Sequence, residues 1–316
     1  MADFKEAELI NKKSNILLTG GSGFIGRCFA EDLIKTGCRL TALFNKNLPK
    51  TNNSKSVNYV ECDMLDMSSL KSIMEIEDFD YIFHFAGHSN ANSSIDEAFD
   101  TISNNILITI NLLEALRFKK IKGVLFTSSS KVYSNINSKN LSESEEIKPI
   151  SSYATSKYCC ENIIRSYSHS FNIPSIILRV GSVFGRNDRN LNHLIPSLIN
   201  STQDKGEVQL KTNIKKQIDF VYIDHLCDFL INLDSSINKM TDKSSLINFS
   251  SYQESIKEAI SIFEDISKTK IKFSETEEDI SIFENLMETE KLGYYETNKN
   301  LLTFKEALKE TFESNI

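Results

Sequence analysis

Asn15-Ile-Leu-Leu-Thr-Gly20-Gly-Ser-Gly23-Phe-Ile-Gly26 is the stretch on which the fold turns. A short apolar run ends in spaced glycines, and Phe24–Lys35 then carries apolar residues at helical spacing. That order is a strand, a tight turn and a helix. Gly20 makes the turn, Gly23 lets the backbone approach a pyrophosphate, and Gly26 lets the helix pack close to the strand. The amides of the opening turn, around Phe24 and Ile25, then face the phosphates. Glycines alone would equally mark a plain turn, and it is the strand–loop–helix context that favours a dinucleotide loop.

Outward from this loop the chain alternates between two periods. Arg39–Phe44, Val57–Val60, Tyr81–Phe85, Val124–Thr127 and Ser175–Val180 are buried-strand runs. Asp66–Glu75, Ile106–Leu116 and Tyr153–Ser168 have helical spacing. Buried strands alternating with helices predict βαβ units and a parallel sheet covered on both faces, a doubly wound α/β fold of the Rossmann type. After Arg179 the pattern loosens, although Leu194–Ile199 reads as a helix and Asp219–Ile223 as a strand leading into a helix to Leu233. The expected organisation is a dinucleotide-binding domain over residues 1–180, with 217–233 returning to it. A smaller α/β cap for substrate would span 181–216 and 234–316. Ligands of such sheets bind in a crevice at the carboxyl ends of the strands.

The bulk chemistry narrows the function. The 316 residues are 40% hydrophobic and 25% charged, an ordinary globular balance. A net charge of −7 argues against a nucleic-acid partner. The six cysteines show no C-x-x-C spacing and are read as reduced thiols. With the histidines scattered as well, no metal site is expected. The N-terminal residues are polar and no run approaches a membrane span, so a soluble cytoplasmic protein without a membrane partner is expected.

At the end of the second strand an NAD site usually carries an acid for the ribose hydroxyls. Here the residues are Leu43-Phe44-Asn45-Lys46. Nothing there repels a 2′-phosphate and Lys46 could attract one, which favours NADP(H) over NAD(H); the alternative is that Lys46 points to solvent. After the third strand comes Asp63-Met64, where Asp63 either accepts from the adenine amino group or caps the nearby helix.

Tyr153-Ala-Thr-Ser-Lys157 places two side chains on one helix face. An ammonium near a phenol favours the phenolate, so Lys157 is expected to lower the Tyr153 pKa for acid–base work. The strand Val124–Thr127 runs into Ser128-Ser129-Ser130, and Ser129 lies 24 positions before Tyr153, room for a loop that returns to the same oxygen.

These residues, in this order, resemble the extended short-chain dehydrogenase/reductase family of nucleotide-sugar epimerases, dehydratases and reductases, over nearly the whole chain. His84-Phe85-Ala86-Gly87 is similar to its fourth-strand motif, Asn105 to a buried helix Asn, and Arg179–Gly185 to R-x-x-N-V-Y-G. Asp219–Asp224 is similar to a later strand motif, and Leu292-Gly293-Tyr294 to a late L-G-[WY]. The resemblance implies catalytic roles for Ser129, Tyr153 and Lys157. It implies cofactor contacts from Gly20, Gly23, Phe24, Ile25, Gly26, Asn45, Lys46, Asp63, Met64, Phe85, Ala86, Gly87, Asn105 and Thr127, and again from Tyr153 and Lys157. Substrate contacts would come from His88, Ser129, Ser130, Lys131, Ser182, His193 and Leu194. It also implies a homodimer through the helices Asn105–Leu116 and Tyr153–Ser168.

The departures discriminate among members. Ser182 stands for a usual Asn, Ile218 for Arg and Arg186 for Pro. Ser130-Lys131 replaces the Asp-Glu pair of the 4,6-dehydratases, which argues against water loss. Lys131 also replaces the Cys that pairs with a His in the double epimerase/reductases, while His193 keeps the His, as a substrate ligand or as a cap for the helix after it. Reduction of a nucleotide-linked 4-keto sugar at C4 is favoured, with Tyr153 as general acid. A nucleotide-sugar 4-epimerase with tightly held NAD is the alternative, and a non-catalytic Rossmann binding protein the third possibility.

Overall fold

A computed structural model describes residues 10, 12–48, 56–88, 97–133, 140–204, 208–210, 213–233, 243–275, 286–289 and 301–315. In chain order the elements begin β1 (Asn15–Thr19), α1 (Phe24–Leu33), β2 (Arg39–Phe44), β3 (Asn58–Glu61), α2 (Met67–Ile76), β4 (Tyr81–His84), α3 (Ala98–Leu116) and β5 (Gly123–Ser129). They continue as β6 (Asn140–Leu141), α4 (Ser152–Phe171), β7 (Ser175–Val180), β8 (Ser182–Phe184), α5 (Leu194–Asp204), β9 (Val208–Leu210), β10 (Gln217–Tyr222), α6 (Ile223–Asn232), β11 (Ser244–Phe249) and β12 (Tyr252–Ser255). Beyond these lie helix Ile256–Ser267, short strands β13 (Phe273–Glu275) and β14 (Leu286–Met287), and helix Phe304–Asn315.

The first compact unit comprises Met1–Val132, Pro149–Arg179 and Cys227–Ile247. Its core is a seven-stranded sheet in the order β11-β7-β5-β4-β1-β2-β3. β1 pairs in parallel with both β2 and β4, so Leu17 lies between Thr41 and Ile82. Every residue of β1 is buried, as expected of a strand covered on both faces. The chain order reverses between β1 and β4, which opens the carboxyl ends of those two strands as a ligand site. On one side α2 and α3 press Leu70, Met74, Ile108 and Leu112 against Leu17, Leu43 and Ile82. A second apolar cluster joins Leu113 of α3 and Cys160 and Ile164 of α4 to Phe126 and Ile177 of the sheet.

The second unit comprises Tyr133–Lys148, Val180–Leu226 and Asn248–Ile316. It contains a three-stranded sheet, β12-β10-β8, and two short strand pairs, β13–β9 and β14–β6. Its boundaries differ from the expected ones in three places, the first being residues 217–226, expected to return to the dinucleotide-binding domain, which cluster here because β10 pairs with β8 and β12. Residues 133–148 cluster here because the Tyr133 hydroxyl donates to Asn248 Oδ1 (2.8 Å) and β6 pairs with β14. Most of β11, expected in the cap, instead forms the edge of the large sheet beside β7. The Leu292-Gly293-Tyr294 stretch lies outside the described residues.

Candidate active site

The phosphate loop is built by backbone constraints. Gly20 adopts φ +71°, and a Cβ there would come within 2.7 Å of the Ala86 amide nitrogen. A Cβ at Gly26 would overlap the Gly20 carbonyl oxygen, so the opening of α1 packs on the turn itself. The N-cap of α1, Gly23, offers no side-chain cap, and the first turn carries no acid. The positive end of α1 is therefore left without an internal anion, and the glycine cradle fits a dinucleotide pyrophosphate.

Around the adenosine end, Asn45 and Lys46 follow β2 and are exposed, while Phe44 is half-buried. Asp63 is exposed and its carboxylate accepts from the Leu65 amide (3.0 Å). The capping alternative for Asp63 falls instead to Asp66, whose carboxylate accepts from the Ser68 amide (3.0 Å) at the N-terminus of α2. Those local hydrogen bonds hold Asp66 down at about 2. Met64 is buried in the apolar cluster of β1 and α2, and its carbonyl accepts from Asn111 Nδ2 (2.9 Å).

The end of β4 is fixed by a buried polar chain that sequence reading did not find. The Ala86 amide donates to Thr19 Oγ1 (3.2 Å), and that hydroxyl contacts His84 Nδ1 (2.8 Å). His84 Nε2 lies 3.1 Å from Thr109 Oγ1, which donates to the Asn105 carbonyl (2.8 Å). Desolvation, followed by the charge of Lys157, pushes His84 down to about 3, so the ring is neutral. Phe85 turns its ring onto Phe29 and Phe83. Asn105 is buried on α3. Its Oδ1 accepts from the exposed His88 amide (2.7 Å), and its Nδ2 donates to Ser156 Oγ on α4 (2.9 Å).

Tyr153 and Lys157 lie on α4, which starts from Ser151, whose hydroxyl accepts from the Ala154 amide. Ser129 ends β5 near the Tyr153 phenol, whose pKa its hydroxyl lowers, and accepts from the Lys131 amide (3.2 Å). Lys157 Nζ donates to the Thr127 carbonyl (2.9 Å) and lies 4.7 Å from the Phe126 ring centroid. A Cβ placed on Gly87 would lie 3.8 Å from that Nζ. The strand ends of β1, β4 and β5 thus gather the phosphate loop, Ala86, Gly87, Asn105, Thr127, Ser129, Tyr153 and Lys157 within one unit. One expectation is corrected. Burial pushes the Tyr153 phenol above its usual value, with Ser129 opposing, and this desolvation outweighs the expected lowering. Lys157 itself is pushed down by burial, with Cys160 and Glu161 opposing.

One turn beyond Lys157, Glu161 is fully buried. It accepts from Ser128 Oγ (2.5 Å) and takes both Nε (2.9 Å) and Nη2 (2.7 Å) of buried Arg179. The spacing of Tyr153, Lys157 and Glu161, four residues apart each time, was the available signal.

Ser182, His193 and Leu194 belong to the second unit. Ser182 is exposed at the start of β8. His193 immediately precedes α5, and its carbonyl accepts from the Ser197 amide (3.2 Å). Its ring is held by buried Asp188 through Nδ1 (2.9 Å) and by Asn190 at Nε2 (3.2 Å). Arg186, in the usual Pro position, pairs with Asp224 (2.7 Å). Among the described residues no group of three or more His, Cys, Asp or Glu could hold a metal ion, and no helix is long and apolar enough to cross a membrane.

Known proteins resemble this chain in sequence and in fold. A dTDP-D-glucose 4,6-dehydratase of Dictyostelium discoideum is 29% identical over 234 residues, 67% of this chain and 53% of that protein. A UDP-glucose 4-epimerase of Yersinia enterocolitica is 30% identical over 163 residues, 49% of this chain and 48% of that one. The chain spans about half the length of the curated relatives it matches most strongly. The structure of a UDP-N-acetylglucosamine 4-epimerase from Methanobrevibacter ruminantium superposes with a TM-score of 0.84 at 26% identity, covering 96% of this chain and 98% of that one. A Thermotoga maritima UDP-glucose 4-epimerase, at 22% identity and a TM-score of 0.83, covers 95% of this chain and 98% of its own, and shares the fold. The model of the NAD-dependent epimerase/dehydratase family matches residues 16–240, well over half of the sequence, and the chain therefore belongs to that family of extended short-chain dehydrogenase/reductases.

Proposed function

We propose that this protein performs redox chemistry at C4 of a nucleotide-linked sugar, with 4-epimerisation as the net result. The observation that carries this is the meeting of Ser129, Tyr153 and Lys157 at one strand end, followed by Ser130-Lys131 rather than by carboxylates. Such a set moves one proton and has no second acid–base pair for eliminating water. The 4-epimerase relatives give the net outcome its support.

A bound NAD(P) supplies a hydride acceptor and donor. Ser129 orients the sugar O4 against the Tyr153 phenol. Tyr153 takes the O4 proton as the C4 hydride leaves, and returns it when hydride is restored to the opposite face. Lys157, tethered to Thr127, would hold the nicotinamide ribose of the bound cofactor. Asn105 ties the His88 segment to α4 and keeps the strand ends in register. A panel of nucleotide sugars incubated with enzyme and NAD, with products separated by chromatography, tests the proposal. A C4 epimer of one member is expected, and no conversion of any member would overturn it.

A second net outcome, reduction of a nucleotide-linked 4-keto sugar, is favoured by one observation. The end of β2 carries Phe44, Asn45 and Lys46 rather than an acid, which suits NADP(H). Consumption of NADPH with a 4-keto sugar, without any C4 epimer from the panel, would select this outcome.

A further inference from the structure

α4 meets the end of β5 at three successive points. Tyr153 meets Ser129, Lys157 meets the Thr127 carbonyl, and Glu161 meets Ser128, the residue between them. The first two contacts belong to the proton-transfer set. The third is as deeply buried, and Arg179 of β7 anchors it by two further hydrogen bonds. We propose that Glu161, backed by Arg179, is a positioning residue that acts through Ser128 to fix the strand end presenting Ser129 to Tyr153 and Thr127 to Lys157.

The geometry leaves little slack. Ser128 is flanked on both sides by residues whose atoms contact the acid–base pair, so any shift of its backbone moves both. Buried ion pairs are weak contributors to stability when compared with well-packed apolar residues, but they define orientation well when bidentate. A planar guanidinium held at two points fixes the carboxylate plane, and the carboxylate in turn fixes the Ser128 hydroxyl. Glu161 also places a negative charge one helical turn from Lys157. The titratable groups around Lys157 are His84 from β4 and Tyr153, Cys160 and Glu161 from its own helix, with Arg179 of β7 behind Glu161. Among these, Glu161 and Cys160 favour the ammonium against its desolvation.

The turnover arm of the test rests on the C4 redox assignment, and a second arm does not. Ser128→Ala removes the link to the strand while leaving the ion pair in place. It should retain fold and cofactor binding but lose roughly ten- to a hundred-fold in kcat with little change in KM, the scale of a sub-ångström misplacement of a reacting group. Independently of turnover, the Tyr153 phenol is titrated by NMR of ring-labelled tyrosine, assigned by its absence in Tyr153→Phe. In Ser128→Ala it should titrate higher, because the Ser129 hydroxyl that opposes desolvation is no longer held beside the phenol. Glu161→Gln should in addition move the basic limb of the kcat/KM profile to lower pH, as Lys157 loses a favourable charge. If Glu161→Gln does not fold, the Ser128→Ala comparison decides. Wild-type kcat and an unchanged Tyr153 titration in Ser128→Ala would overturn the positioning role. Failure of the wild type to convert any nucleotide sugar would overturn the C4 assignment alone, since the phenol titration still reports on the clamp.

Discussion

His84 gives the fold an acid-labile point whose size can be worked out. The ring is 1% exposed, sits between Thr19 and Thr109, and stays neutral down to about pH 3. In the unfolded chain a histidine takes up its proton near 6.5. Between those values the unfolded state binds a proton that the native state does not, so stability falls as the pH falls through that window. Above about pH 7 both states are neutral and the effect vanishes. Between pH 7 and pH 4 linkage amounts to about 3 kcal/mol, a large share of a typical folding free energy. The assay is urea unfolding at the two pH values for the wild type and His84→Gln. The glutamine variant loses hydrogen bonds and starts less stable at pH 7, but it lacks the titrating group. Carboxylates such as Asp66 contribute equally to both proteins. The wild type should therefore lose about 3 kcal/mol more than the variant on acidification. Parallel losses would refute the neutral, doubly hydrogen-bonded assignment of His84.

Three further outcomes are expected. Cofactor titration separates the two outcomes: if 4-keto reduction is the reaction, NADPH should bind more tightly than NADH, with the order reversed in Phe44→Asp by repulsion of the 2′-phosphate, whereas a wild type that prefers NADH supports the epimerase outcome. Light scattering should give a two-fold dimer, since α3 exposes Phe99 (78%) and Leu107 (46%), and a monomer mass at micromolar concentration would exclude it. A 4-keto-6-deoxy nucleotide sugar incubated in D₂O should gain no enzyme-dependent deuterium at both C3 and C5, because Lys131 replaces the partner base; His193→Ala should raise KM more than it lowers kcat, and the reverse would assign His193 to the chemical step.

Much of the site was legible because its signals are local. The glycine loop needs only one strand–turn–helix, and Tyr153 and Lys157 need only one helix face. What escaped depends on partners brought together by the fold. The Glu161–Arg179 pair requires β7 to lie beside α4, and the Thr19–His84–Thr109 chain joins β1, β4 and α3. The helix cap moved from Asp63 to Asp66 because two carboxylates three residues apart compete for one helix start, and only backbone geometry decides between them. The unit boundary was displaced for a similar reason. Asn248 Nδ2 donates to the Leu141 carbonyl across 107 residues, a link without any local trace in the sequence. The Tyr153 pKa direction was missed because charge proximity was weighed without burial.

Whether Tyr153 carries the proton in a C4 redox reaction is tested most directly by Tyr153→Phe. The ring and its packing are retained while the transferable proton is removed. Single-turnover measurement of nicotinamide absorbance with a converted nucleotide sugar should show a loss of roughly 10² to 10⁴ in rate, with cofactor affinity unchanged. A phenylalanine variant that turns over at the wild-type rate would contradict the account.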